Sequence, residues 1–565
     1  MQMRRRFVQV GARRVHYWRA GDGPPAVLIH SSPANARLLM KEIERVAEDF
    51  TVFAFDTPGF GLSDPLPLAE MEVADLADAL AETLATLAMP RCPIFGTHTG
   101  AAIALELGVR YPERATGLVL DGVPAFTDAE CEANFATYFR TMPPSELGGH
   151  YAEAWTRFRD QAIWFPWTNR TPDTLNAYDL SPPHSTHLWV SMFFDAAEHY
   201  APAYRAASYY GDKAIVAAQA LTLPAVYCAT ETDMLYPHLD RLPPMKAGQA
   251  IVPIGVSYER KRALIAESFA RFGADGRAPP DCDAIGSSVG IGRQFIDGPA
   301  GQLHLRTCGD RANPPLLLLH DAPGSSEQAE PLIERLAEHF FVIAPDMPGC
   351  GESDAFEQTP DIAAFAGCAA ALLDRLGIVA TAVYGIGFGS SVALVLAEQN
   401  PSRITTVALQ GIALPDDVER RDLRERLAPP IEISADGSHW YRTWLMLRDS
   451  LVYWPWYERR FAAVRRVEAD FTARPLHRWT MDVMRARTSY AAIIDAALDH
   501  DAAAALARLS VPPVRIADPA TPLSAYDAQF GSLCPQAAAI DASAPNRARS
   551  LAMTFDHIIG TNRAC

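Results

Sequence analysis

The chain has no apolar run approaching the roughly 18 residues of a membrane span. A signal peptide is not expected either, because the basic Met1-Gln2-Met3-Arg4-Arg5-Arg6 leads straight into the strand-like Phe7-Val8-Gln9-Val10, and a signal peptide needs a longer apolar stretch there. Basic residues are in deficit: 50 Lys and Arg against 67 Asp and Glu give a net charge of −17. That balance disfavours nucleic acid and anionic membranes as partners. The nine cysteines are scattered, with no CxxC pair. An odd count without metal spacing predicts reduced thiols and a cytoplasmic protein, not a disulfide framework. HExxH, EF-hand and Cys–His patterns are missing, so no metal is expected. Gly385-Ile386-Gly387-Phe388-Gly389-Ser390 lacks the lysine of a phosphate loop and the spacing of a dinucleotide fingerprint. No cofactor is expected.

What is present is a duplication. At 565 residues the chain suits two large domains. The apolar run Ala26-Val27-Leu28-Ile29 ends in His30, and Leu316-Leu317-Leu318-Leu319 ends in His320. Asp56-Thr57-Pro58-Gly59-Phe60-Gly61-Leu62-Ser63-Asp64 returns as Asp346-Met347-Pro348-Gly349-Cys350-Gly351-Glu352-Ser353-Asp354. Gly96-Thr97-His98-Thr99-Gly100 returns as Gly385-Ile386-Gly387-Phe388-Gly389, and Leu118-Val119-Leu120-Asp121-Gly122 as Val407-Ala408-Leu409-Gln410-Gly411. The offset stays near 289 throughout. The predicted organisation is a first domain over 1–272, a Gly/Ala/Pro/Ser-rich linker over 273–292 and a second domain over 293–565. Short apolar runs alternate with amphipathic stretches, which predicts α/β units and a mostly parallel sheet with helices on both faces in each copy.

These ordered features resemble the α/β-hydrolase superfamily nearly end to end in both copies. The features are the His30 and His320 loops, the D-x-P-G-x-G-x-S-D segments, the G-x-x-x-G turns and Tyr111-Pro112-Glu113-Arg114. The resemblance implies two consecutive α/β-hydrolase folds, each with an inserted helical cap, at about 126–221 and 415–509. The caps repeat too. Trp155, Arg159-Asp160, Pro166-Trp167, His187 and Trp189 match Trp444, Arg448-Asp449, Pro455-Trp456, His477 and Trp479.

The resemblance also makes each G-x-x-x-G turn a nucleophile elbow, whose centre is normally Ser, Cys or Asp. Here the centre is His98 in one copy and Gly387 in the other. Asp233 matches the family's acid position. In the second copy the aligned strand leads to Thr521, with Asp518 nearby but out of register. The family histidine is missing from Ile251–Glu259 and from Ala539–Asn546; His557 is read as a helix-surface residue. The second copy is therefore expected to be inactive. In the first, His98 is the candidate general base or nucleophile, with Asp233 or a neighbouring threonine orienting it. Its Nε2 is expected to face a cap-covered pocket near the oxyanion donors. Those donors are the Thr99 amide and an amide of Ser31 or Ser32, with Ser31 preferred. Asp121 is a second candidate acid, better read as structural. Pocket candidates are His30, itself better read as loop-shaping, and Arg159, Trp167 and His187. Arg159 can bind a substrate carboxylate or pair with Asp160.

Two readings follow. One is an enzyme that hydrolyses a small ester or lactone, or performs a lyase step on a carbonyl compound. The other is a pseudo-hydrolase that binds a small organic ligand without turnover. The expected partner is a small molecule, and the two domains can pack on one another within the chain.

Overall fold

The computed structural model describes residues 3–281, 290–511 and 513–542. It contains two compact units, each built on an eight-stranded sheet.

The first sheet comprises β1 (Arg4–Val10), β2 (Arg13–Ala20), β3 (Pro25–Ile29), β4 (Thr51–Phe55), β5 (Cys92–Thr97), β6 (Ala115–Asp121), β7 (Ala225–Cys228) and β8 (Gln249–Ile251). Their order across the sheet is β1-β2-β4-β3-β5-β6-β7-β8. Pairings of β2 with β1 and β4 are antiparallel and the rest are parallel. The central strands β3 to β6 are almost wholly buried. That is why their sequences are continuous apolar runs and not alternating ones.

The second sheet repeats the topology. It comprises β9 (Gly292–Gly298), β10 (Gly301–Cys308), β11 (Pro315–Leu319), β12 (Phe341–Pro345), β13 (Thr381–Ile386), β14 (Ile404–Gln410), β15 (Pro513–Ala517) and β16 (Ala538–Asp541), in the order β9-β10-β12-β11-β13-β14-β15-β16. Each unit is thus an α/β-hydrolase fold. In each, the chain reverses direction across the sheet beside β3 or β11, and the crevice at the carboxyl ends of the strands there is where such sheets bind ligands.

The D-x-P-G-x-G-x-S-D segments are structural clamps. Asp56 Oδ1 accepts from the Ala36 amide at 2.8 Å, and its Oδ2 from the Leu62 amide at 3.0 Å and from the His16 ring at 2.8 Å. Gly61, at φ +55°, lies so close that a Cβ would sit 2.1 Å from Asp56 Oδ2. No side chain fits there. Asp346 repeats these bonds with Ser326, Glu352 and His304.

Between β6 and β7 lie helices Asp128–Phe135, Gly149–Ile163, Pro183–Ala196, Tyr200–Ser208 and Asp212–Ala220. Five helices fill the corresponding insert between β14 and β15. The last helix of each insert packs against the helix leaving the elbow, so the covering part is shorter than 126–221 and 415–509. The expected linker also differs. Its described residues lie against the first unit: the Thr116 hydroxyl donates to Gly273 O at 2.7 Å, the Asp275 amide to Arg91 O at 2.9 Å, and Arg4 and Arg6 bind Asp281 at 2.8 Å. Residues 282–289 and 543–565, and with them His557, lie outside the described residues. No helix among the described residues is long and apolar enough to cross a membrane.

Candidate active site

His98 stands between β5 and the helix Thr99–Arg110, at φ 48° and ψ −108°. A left-handed backbone at a bulky residue is costly and marks a turn held by its surroundings. The flanking glycines are forced by contact. A Cβ on Gly96 would lie 2.1 Å from Gly100 O, and one on Gly100 would lie 2.3 Å from Ile29 O. The same turn recurs at Gly387, φ +56°.

The fold joins two of the expected residues. His98 Nε2 and Asp233 Oδ2 are 2.8 Å apart, bridging 135 positions of sequence. The Leu235 amide donates to Asp233 Oδ1 at 2.8 Å and fixes the carboxylate. Asp233 therefore orients the ring by accepting from Nε2–H. This differs from the expectation that Nε2 would face the pocket. The tautomer assigned by that bond leaves the lone pair on Nδ1. The His98 side chain is 31% exposed, so it is reachable. Burial opposes its protonation, but the charge and hydrogen bond of Asp233 outweigh burial, and the His98 pKa is raised. Burial likewise opposes ionisation of Asp233, yet His98 draws its pKa below the usual carboxylate value.

Ser31 and Ser32 follow β3, and the Ser32 amide donates to Thr99 Oγ1 at 3.3 Å. The Ser32 amide is thus turned toward the elbow. His30 is buried, with Nδ1–H donating to Ser31 O at 3.0 Å and Nε2 accepting from the Thr57 amide at 3.0 Å. Both nitrogens are spent on shaping loops, leaving none for a substrate. Asp121 forms a buried ion pair with Lys261 at 3.0 Å.

The cap candidates separate. Trp167 is buried in an aromatic cluster with Phe126, Phe135, Tyr138 and Leu235. Arg159 is exposed, and Asp160 pairs with Arg170 at 2.8 Å instead. Asp449 pairs equivalently with Arg459 at 2.7 Å, so the repeated Arg-Asp motif braces the cap through its aspartate. His187 is half-buried on the helix Pro183–Ala196. The arginine taken inside is Arg157, its guanidinium 4.8 Å from the Phe193 ring and 5.3 Å from that of Tyr200. Helical phase separates it from Arg159: the two residues lie about 200° apart around the axis.

The second unit holds a carboxylate the sequence reading passed over. Asp321 stands where Ser31 stands in the first unit. Its Oδ1 accepts from the Phe388 amide at 2.8 Å and the Ala322 amide at 2.7 Å. Phe388 and Ala322 correspond to Thr99 and Ser32. The two amides that would form an oxyanion hole here hold the protein's own carboxylate. A Cβ on Gly387 would fall 1.9 Å from Asp321 Oδ1 and 2.0 Å from its Cγ. The glycine is the space Asp321 occupies. Burial pushes the Asp321 carboxyl up to about 6, against the two amide hydrogen bonds. The available signal was a paired change: Ser31 with His98 in one copy, Asp321 with Gly387 in the other. Asp518 lies buried, accepting from Gln410 Nε2 at 2.6 Å.

A capped α/β unit with an imidazole–carboxylate pair at its elbow is the class of site that fold and geometry define. The alpha/beta hydrolase fold family matches the chain over residues 24–249 and 314–443, and the chain belongs to that family. An uncharacterized hydrolase of Saccharomyces cerevisiae is 42% identical over 111 residues, 19% of this chain and 37% of the yeast protein. The (E)-2-((N-methylformamido)methylene)succinate hydrolase of Acinetobacter baylyi is 32% identical over 122 residues, 21% of this chain and 46% of that enzyme. The matched stretches thus span less than half of these relatives' own length. Among solved structures, E-2-(acetamidomethylene)succinate hydrolase aligns with 20% identity and a TM-score of 0.37, covering 48% of this chain and 100% of that one.

Proposed function

We propose that the first domain is a hydrolase acting on a small ester or lactone, or a lyase on a carbonyl compound, with His98 as its base, and that the second domain does not catalyse this reaction. The observation that carries the reading is the 2.8 Å contact between His98 Nε2 and Asp233 Oδ2. With Asp233 accepting Nε2–H, His98 Nδ1 takes a proton from water as the water attacks the carbonyl carbon. The oxygen that becomes negative is received by the Thr99 amide and by the Ser32 or Ser31 amide. The proton on Nδ1 then passes to the leaving oxygen, and Asp233 balances the transient imidazolium. General acid–base catalysis of this kind contributes about 10²–10⁴ in rate. The relatives named above are hydrolases by name, which agrees with a hydrolytic reaction.

The second reading, ligand binding without turnover, is favoured by one observation: the Ser32 amide already donates to Thr99 Oγ1. Assays of wild type, His98→Ala and Asp321→Asn on esters, lactones and β-dicarbonyls decide between them. Turnover lost only in His98→Ala supports catalysis in the first domain. Turnover unchanged in His98→Ala removes the histidine from the mechanism. No turnover by any variant, with ligand-induced stabilisation retained, establishes the binding reading.

A further inference from the structure

In an ordinary site of this fold, two backbone N–H groups at the elbow receive an acceptor, the oxygen of a carbonyl. In the second domain both groups are spent on Asp321 Oδ1. The polarity presented to a ligand is thereby reversed. Asp321 Oδ2 accepts no hydrogen bond from any described residue, and Asp321 lines a cavity of about 70 Å³. The rest of the lining is almost entirely apolar, with Phe388, Leu447, Trp454, Trp456 and Trp479 prominent and no cationic side chain. Trp456 donates its Nε1–H to Leu427 O at 2.8 Å, and Trp479 donates its own to Pro323 O. Both indoles thus spend their polar edge on the backbone and offer carbon surface to the cavity. Met446 lines this cavity at the position that Arg157 holds in the first domain, so the cap supplies no counter-charge either.

A carboxylate facing apolar and aromatic walls needs a cation or donor to compensate it. Aromatic faces attract alkylated ammonium groups. An apolar cavity of about 150 Å³ holds benzene, so one about half that size admits a ligand of a few heavy atoms.

We propose that the cavity beside Asp321 and Gly387 is a binding site for a small alkylammonium ion, which donates N–H to Asp321 Oδ2 and lays its alkyl groups on Trp454, Trp456 and Trp479. The site is independent of the His98 chemistry. Gly387 serves it by leaving the volume the carboxylate fills.

The test is isothermal titration calorimetry of the full chain at pH 8 with dimethylammonium chloride, alongside tetramethylammonium chloride and sodium acetate. Dimethylammonium is expected to bind saturably at one site per chain. Its affinity should fall at least tenfold in Asp321→Asn, and acetate should not bind there. Should Asp321→Asn fail to fold, Met446→Arg places an intramolecular cation in the cavity and should weaken binding by a similar factor with Asp321 intact. Absence of saturable binding overturns the proposal. So does unchanged affinity in the folded variants, or acetate binding as strongly. Equal binding of tetramethylammonium, which has no N–H, overturns the hydrogen bond to Oδ2.

Discussion

The two elbows share a backbone and differ in the source of their polar group. In the first domain the group rises from the elbow itself: His98, at φ 48°, reaches Asp233 across the mouth of the sheet. In the second, the elbow carries nothing, and the neighbouring loop inserts Asp321 into the space where an elbow side chain would begin. A glycine at such a position is easily taken for loss. Here it belongs to an exchange of two residues: the amides proposed to receive an oxyanion in the first domain have counterparts in the second that hold a carboxylate. The strained turn tolerates the exchange because the flanking glycines, not the central side chain, let the backbone pass.

Substitution at His98 should separate the two elbows most. His98→Ala should lower kcat/KM by about 10²–10⁴ on whichever carbonyl substrate is turned over, measured by steady-state kinetics. Asp233→Asn is next, with an expected loss of about tenfold to 10² from a misoriented ring. Its pH profile carries the diagnostic. His98 acts as a base only when neutral, and Asp233 raises its pKa. Wild-type kcat/KM should therefore climb with pH through an inflection above the ordinary histidine value. Without the Asp233 charge, burial dominates and the inflection should move to lower pH.

On the other side of the comparison, Gly387→Ala places a Cβ within 2.0 Å of the Asp321 carboxylate. It should destabilise the protein by about 1–3 kcal/mol in denaturant unfolding. Adding Asp321→Gly removes the collision and should recover part of that loss, a coupling that a double-mutant cycle reads directly. The smallest effect is expected at Arg159. It is exposed and outside the ion pair of Asp160 with Arg170, so Arg159→Ala should change stability by no more than about 0.5 kcal/mol and leave turnover unchanged.

Much of the fold was legible in the chain because its signals are local. Buried parallel strands must be continuous apolar runs, as in Ala26–Ile29 and Leu316–Leu319. Gly61, Gly96 and Gly100 each sit where a Cβ would collide with a named atom. The candidate site was legible where family position marked it, at His98 and Asp233. It was illegible where orientation decides. Arg157 and Arg159 differ by two positions, yet one is buried among rings and the other faces solvent. His30 is the right residue type, but its ring nitrogens are committed to backbone partners that only the folded loops bring near.

By itself, then, the sequence determined the duplication, the strand–turn–helix plan of each half and the absence of a serine at either elbow, since these rest on residue type and spacing along the chain. The tertiary structure decided which nitrogen of His98 meets Asp233 and that Asp321, not emptiness, stands beside Gly387. Those depend on angles and separations between segments far apart in sequence, and only the closed sheet fixes them.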